Sequence, residues 1–189
     1  MLIKCGIKFQ YRKIKKKDGK NEKIIKILIS FLMISTVAAV DSSNWGTVTV
    51  RGETFKIPPE LEGGKYLSCS YNKGSYSIIG LDSSMLYSHY GFIIKKAKNT
   101  EDLTIKGHPA QHITYGQGYS RVYFAVGDSI YAINWKGTNI TPEIEGIIGS
   151  STPSSISSGS FYNILAQANA DYKQSQKNYY VDLDADDEI

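Results

Sequence analysis

The chain is poor in the residues that usually carry chemistry: it has 2 Cys and 3 His in 189 residues. Cys5 lies in the basic N-terminal stretch, so Cys69 is the one thiol in the rest of the chain. One thiol cannot close an internal bridge, and the domain must hold itself together by its core. Cys69 sits in the strand-like alternation Tyr66-Leu-Ser-Cys-Ser-Tyr71 and reads as a small buried apolar side chain. A reactive nucleophile there would need an activating base beside it. No G-x-S-x-G elbow is present, and Gly116-Gln-Gly118 lacks the following helix that a phosphate-binding loop requires. A Ser/His/Asp arrangement stays open only because serine is plentiful. No pattern for a cofactor is present.

His108 and His112 form H-x-x-x-H, a spacing that places two zinc ligands on one helical face. Pro109 and the flanking strand pattern argue against a helix. In a strand such a pair lies roughly 13 Å apart, too far to chelate one ion. The expectation is a turn residue at 108 and a half-exposed strand residue at 112. The acidic end, with Asp182, Asp184 and Asp186, imitates the opening of a calcium loop. It has Asp187 where that loop needs glycine, and reads as a solvated tail. Asn139-Ile-Thr141 is a glycosylation sequon with Pro142 directly behind it, which makes Asn139 a glycosylation candidate.

Charge of one sign is scarce where it would matter for nucleic acid. The net charge is +4, yet residues 1–26 carry ten bases against two acids, which is +8. The remainder of the chain is therefore at −4. A duplex-binding surface needs its bases on the folded domain, so the charge argues against a nucleic-acid partner.

Only one long apolar run exists, residues 27–40 (ILISFLMISTVAAV), directly behind the basic stretch. Basic segment, apolar core and the small residues Val37-Ala38-Ala39 are the parts of a secretory signal, with cleavage expected after Ala39. The other reading is an uncleaved signal anchor: counted from Ile24, the stretch reaches the roughly 17 residues a membrane span requires. Either way, residues 1–40 are a signal peptide or anchor, and the rest is expected to be extracytoplasmic, secreted or held at the cell membrane.

Residues 41–150 read as an α+β domain. Thr47–Arg51 and Thr54–Pro58 form a hairpin, and strands at 66–71 and 76–81 follow. Asp82, Ser83 or Ser84 caps a helix carrying Met85, Leu86, His89, Phe92, Ile93 and Lys96. Strands recur at 103–106, 111–115, 119–126 and 130–136, with Val122, Phe124 and Val126 on one face at period two. Thr141 caps a last short helix led by Pro142, whose buried stripe is Ile144, Ile147 and Ile148. The architecture expected is an antiparallel sheet with helices packed on one face.

Residues 151–160 are Ser-rich and read as a flexible linker. Residues 161–189 read as a short helix and an acidic tail. Phe161, Ile164, Leu165, Ala168 and Tyr172 recur at helical spacing. Phe161, Ile164, Leu165 and Tyr172 are therefore candidate partner contacts, although the same stripe could dock on the domain.

Phe55-x-Ile57-Pro58, the middle helix, Asp102-Leu-Thr-Ile-Lys-Gly107, Tyr123-Phe124 and Gly127-Asp128-Ser-Ile-Tyr131 together resemble small exported domains of methanogenic archaea that have no assigned activity. More distantly the chain is similar to the PsbP-like α/β sandwich. The resemblance covers about residues 47–150 and implies a fold and a secreted setting. It carries over no functional residue. Three readings of function follow. The first is a non-catalytic surface module that binds a protein or cell-envelope component. The second is a small secreted hydrolase using Ser or His, and the third a subunit docking through the 161–172 stripe.

Overall fold

The computed structural model describes residues 41–185, with side chains through residue 177. The leader, Cys5 and the acidic residues Asp186, Asp187 and Glu188 lie outside the described residues. Strands β1 (Gly46–Val50) and β2 (Glu53–Ile57) pair as a separate antiparallel hairpin. The reversal is made by Arg51 and Gly52, with φ of 49° and 84°. Such a pair of positive φ values matches the right-handed twist of a two-residue hairpin.

After a short 3-10 turn (Pro59–Leu61) come β3 (Lys65–Leu67), β4 (Ser70–Lys73) and β5 (Tyr76–Leu81). Helix α1 (Ser83–Ile94) then crosses the sheet to its far edge. The chain returns as the meander β6 (Ala97–Ile105), β7 (His108–Tyr115), β8 (Tyr119–Val126) and β9 (Ser129–Lys136). The result is a 7-stranded antiparallel sheet in the order β3-β4-β5-β9-β8-β7-β6. Helices α2 (Pro142–Gly149) and α3 (Ser158–Ala185) complete an α+β fold. The sequence reads residues 66–71 as one strand. It is two, because Ser68 takes φ 48° and turns the chain.

The alternation along the strands buries two separate cores. On one face Ile78, Val122, Phe124, Tyr131 and Ile133 pack against Val48, Val50, Phe55 and Ile57 of the hairpin and Ile144, Ile147 and Ile148 of α2. On the other, Ile79, Ile113, Tyr123, Ala125 and Ala132 meet Leu86, Tyr90 and Ile93 of α1 and Phe161, Leu165 and Ala168 of α3. Helices α1 and α3 pack together over one face, and the short α2 joins the hairpin on the opposite one.

The Ser-rich segment between α2 and α3 is tied down, which corrects its reading as a flexible linker. Ser155 donates to the Gly127 carbonyl from both its N–H (2.7 Å) and its hydroxyl (2.8 Å). The Thr152 N–H donates to Glu53 Oε1 at 2.7 Å, and Ser151 is buried with its hydroxyl on the Ile148 carbonyl. Short hydroxyl side chains here satisfy backbone groups as the chain passes from one face to the other.

Candidate functional site

Helix α1 starts where Asp82 Oδ1 accepts from the Met85 N–H at 2.8 Å, as the capping reading expects. The Ser84 hydroxyl, the Arg51 guanidinium at 2.9 Å and that N–H together hold the Asp82 carboxyl down to about 2. Beneath the helix, the Tyr90 hydroxyl donates to Gln111 Oε1 at 2.6 Å, and Gln111 Nε2 donates to Asp102 Oδ1 at 2.7 Å. Burial pushes the Tyr90 and Tyr123 phenols up to about 12, so both stay neutral. The Tyr123 hydroxyl donates to the His89 carbonyl at 3.2 Å. These bonds fix α1 against the sheet.

Helix α3 begins where Ser157 Oγ accepts from the Ser160 N–H at 3.2 Å. Its stripe is buried within this chain: Phe161 is 0% and Leu165 1% exposed. The Tyr162 hydroxyl points at the Leu103 and Ala110 carbonyls, 3.2 Å from each. Phe161 and Leu165 therefore cannot meet a partner, which corrects their reading as partner contacts. Of the four residues named, Ile164 is 38% exposed and Tyr172 half-buried against Gly91. The helix is also much longer than the stripe suggested, running to Ala185.

Tyr172 divides two concavities on this face. A groove of about 580 Å³ lies between Gly91, Ile94 and Lys95 of α1 and Tyr172, Lys173 and Lys177 of α3. A pocket of about 430 Å³ lies on the other side, between His89, Phe92 and Ile93 of α1, Arg121 of β8 and Tyr172. Among the described residues the ion pairs are Arg51–Asp82 and Lys106–Glu145, so none of these four cations is neutralised by a described acid. The groove thus combines an apolar floor with an unpaired cationic rim. Lys95 and the lysines of α3 stand far apart in the sequence, and only the approach of the two helices brings them to one groove.

His108 and His112 are both buried, contrary to the expectation of a turn and a half-exposed position. The turn is shorter than the sequence suggested. Lys106 and Gly107, with φ of 49° and 89°, complete it, so β7 already begins at His108. His108 Nδ1 bonds the Ala125 carbonyl at 2.7 Å. His112 Nε2 lies 3.0 Å from Ser120 Oγ, its ring stacked on Trp135. Each imidazole serves a different partner, and the described residues contain no group of three His, Cys, Asp or Glu placed to hold a metal. Glu101 faces His112 across the β6–β7 pair, which brings serine, histidine and a carboxylate to one region. Ser120, however, is 0% exposed, and none of the concavities described above reaches it.

Cys69 is a partly buried free thiol packed against the α1–α3 core. Asn139 is exposed, its carbonyl accepting from Trp135 Nε1 at 3.3 Å, while Thr141 Oγ1 caps α2 through the Ile144 N–H at 3.4 Å. Asp182 and Asp184 lie in α3 beyond the residues whose side chains are described. Among the described residues no helix is long and apolar enough to cross a membrane. No protein-family model, curated protein or solved structure matches this chain.

Proposed function

We propose that this chain is a non-catalytic, secreted or membrane-anchored surface module that binds an acidic protein or envelope component through the α1–α3 face. The observation that carries the reading is the groove, where Lys95, Lys173 and Lys177 surround Ile94 and Tyr172 without a described acid to pair them. Unpaired cations beside half-buried apolar surface favour a ligand that is anionic and partly apolar. The basic leader and apolar run support an extracytoplasmic setting. The PsbP-like resemblance, which implies a secreted α/β sandwich, brings no catalytic site.

The test compares the full chain with a Lys95→Glu/Lys173→Glu/Lys177→Glu variant. Binding to polyglutamate and to vesicles containing an anionic lipid is measured at low and physiological salt. The wild type should bind at least one probe in a salt-sensitive way, and the variant should lose it at unchanged melting temperature. Equal binding by the two proteins would discard the groove as the binding face.

The hydrolase reading rests on one observation, the hydrogen bond between His112 and Ser120. A nucleophile must reach its substrate, and the burial of Ser120 opposes this. A fluorophosphonate that labelled wild type but not Ser120→Ala would reverse the preference.

A further inference from the structure

We propose that the pocket between α1 and β8 is a binding site for a small amphiphilic oxyanion, a carboxylate or phosphate carried on an apolar body. The anchor is Arg121. Its Nε is buried without a partner among the described residues, and Nη1 reaches only the Tyr123 hydroxyl, at 3.4 Å. The Tyr115 and Tyr123 rings flank the guanidinium at 5.9 and 6.0 Å. No described carboxylate pairs with it. A partly desolvated guanidinium gains most from an oxyanion, whose two oxygens match the fork of its N–H groups.

The rest of the pocket fits the ligand's other half. Phe92, Ile93 and Tyr172 supply apolar wall, and Phe92 remains 48% exposed at the mouth. Lys96 Nζ stands 3.7 Å from the centre of the Phe92 ring, a second cation against this wall residue. His89 also lines the pocket, and burial followed by the nearby Arg121 charge holds its imidazole below the usual range. It is therefore neutral near pH 7 and offers one N–H without adding charge. The volume of about 430 Å³ suits a ligand with a ring or short chain. This site shares only Tyr172 with the lysine groove and does not depend on it.

The full chain is titrated calorimetrically with phenylacetate, phenyl phosphate, inorganic phosphate and 2-phenylethanol. Both aryl anions should bind one-to-one, with the other two weaker by about tenfold or more, because each lacks half of the recognition. The ratio between phenylacetate and phenyl phosphate identifies the preferred oxyanion. Arg121→Gln should weaken both aryl anions by about tenfold or more, the size of one charge-assisted hydrogen bond. Arg121→Lys, which keeps the charge and loses the fork, should fall between. Phe92→Ala alters an exposed ring and should weaken the aryl anions at unchanged melting temperature. The lysine-groove variant should bind them as wild type does, so either site can fail without the other. Saturable binding of neither aryl anion, wild-type affinity in both Arg121 variants, or inorganic phosphate binding as tightly as phenyl phosphate would each overturn the assignment.

Discussion

Gly91 on α1 and Tyr172 on α3 touch so closely that a Cβ at position 91 would stand 2.1 Å from Tyr172 Cγ. The contact needs glycine for space alone, since position 91 lies inside a helix. It sets how near the two helices approach, and with that the shape of the concavities on either side. In isolation Gly91→Ala should favour the helix by about 1 kcal/mol. Here the clash should dominate and destabilise the fold by about 1–3 kcal/mol, as overpacking does. Tyr172→Ala removes the ring but keeps the Cβ that would stand 2.3 Å from the new methyl, so it should relieve the clash only in part, and the double variant should lose less stability than the two single changes add up to. Denaturant melts of the four proteins measure the coupling, and additive effects would mean the helices are not locked at this point.

Tyr76 is buried in the hairpin-side core, and its hydroxyl has no hydrogen-bond partner among the described residues. Burial first, and the neighbouring Tyr71 second, push its phenol well above the usual range. A buried hydroxyl without a partner costs about 1–3 kcal/mol. Tyr76→Phe should therefore leave stability unchanged or raise it by about 1 kcal/mol. A loss of stability in thermal or denaturant unfolding would show that the hydroxyl is engaged.

Stability should fall as the solution is acidified from pH 7 toward pH 5. Burial lowers both His112 and His89, the Arg121 charge adding to the effect at His89 and Glu101 opposing it at His112. A histidine whose folded pKa lies below its unfolded value of about 6.5 supports folding above that pH. The support is lost as pH drops through 6.5 toward the folded value. His112→Gln and His89→Gln remove the titration and should each flatten the melting temperature in this window. Asp82, held down to about 2, acts elsewhere: its contribution is present above the usual carboxylate range and fades between about pH 4 and 2. An unchanged slope in both histidine variants would assign the acid loss to other groups.

Local rules were legible in the sequence, and what covers each surface was not. The caps at Asp82 and Thr141, the period-two face of Val122, Phe124 and Val126, and the Ile144/Ile147/Ile148 stripe all stand where the pattern places them. Each depends on neighbours within a few residues. The faces were harder, because a buried stripe has the same spacing whichever layer it meets, and α2 joined the hairpin rather than the other helices. The burial of His108 and His112 escapes the local pattern for a related reason. A polar side chain in a strand can be buried once a specific acceptor, here Ala125 or Ser120, lies across from it. The pocket at Arg121 depends on residues from β8, α1 and α3, and no single stretch of sequence displays it.

The same distinction decides whether the domain ends at residue 150. From the sequence, the core closes with α2, and a 41–150 fragment should fold with stability within about 1–2 kcal/mol of the longer form. The structure gives the opposite expectation. Helix α3 places Phe161, Leu165 and Ala168 over Ile113, Tyr123 and the buried side of α1, and its Tyr162 hydroxyl faces two backbone carbonyls. Removing it uncovers the part of the sheet face, and the side of α1, against which it packs. Truncating a buried Phe or Leu to Ala costs about 2–5 kcal/mol each, and deletion of the helix removes both at once. That sum is comparable to the whole stability of a typical small domain. A 41–150 fragment should therefore be unfolded or melt at far lower denaturant than 41–189. Point substitutions give the graded version: Leu165→Ala should cost about 2–5 kcal/mol and Ile164→Ala, half outside the core, clearly less. If 41–150 melts with 41–189, α3 is a removable appendage and its buried stripe contributes little to the fold.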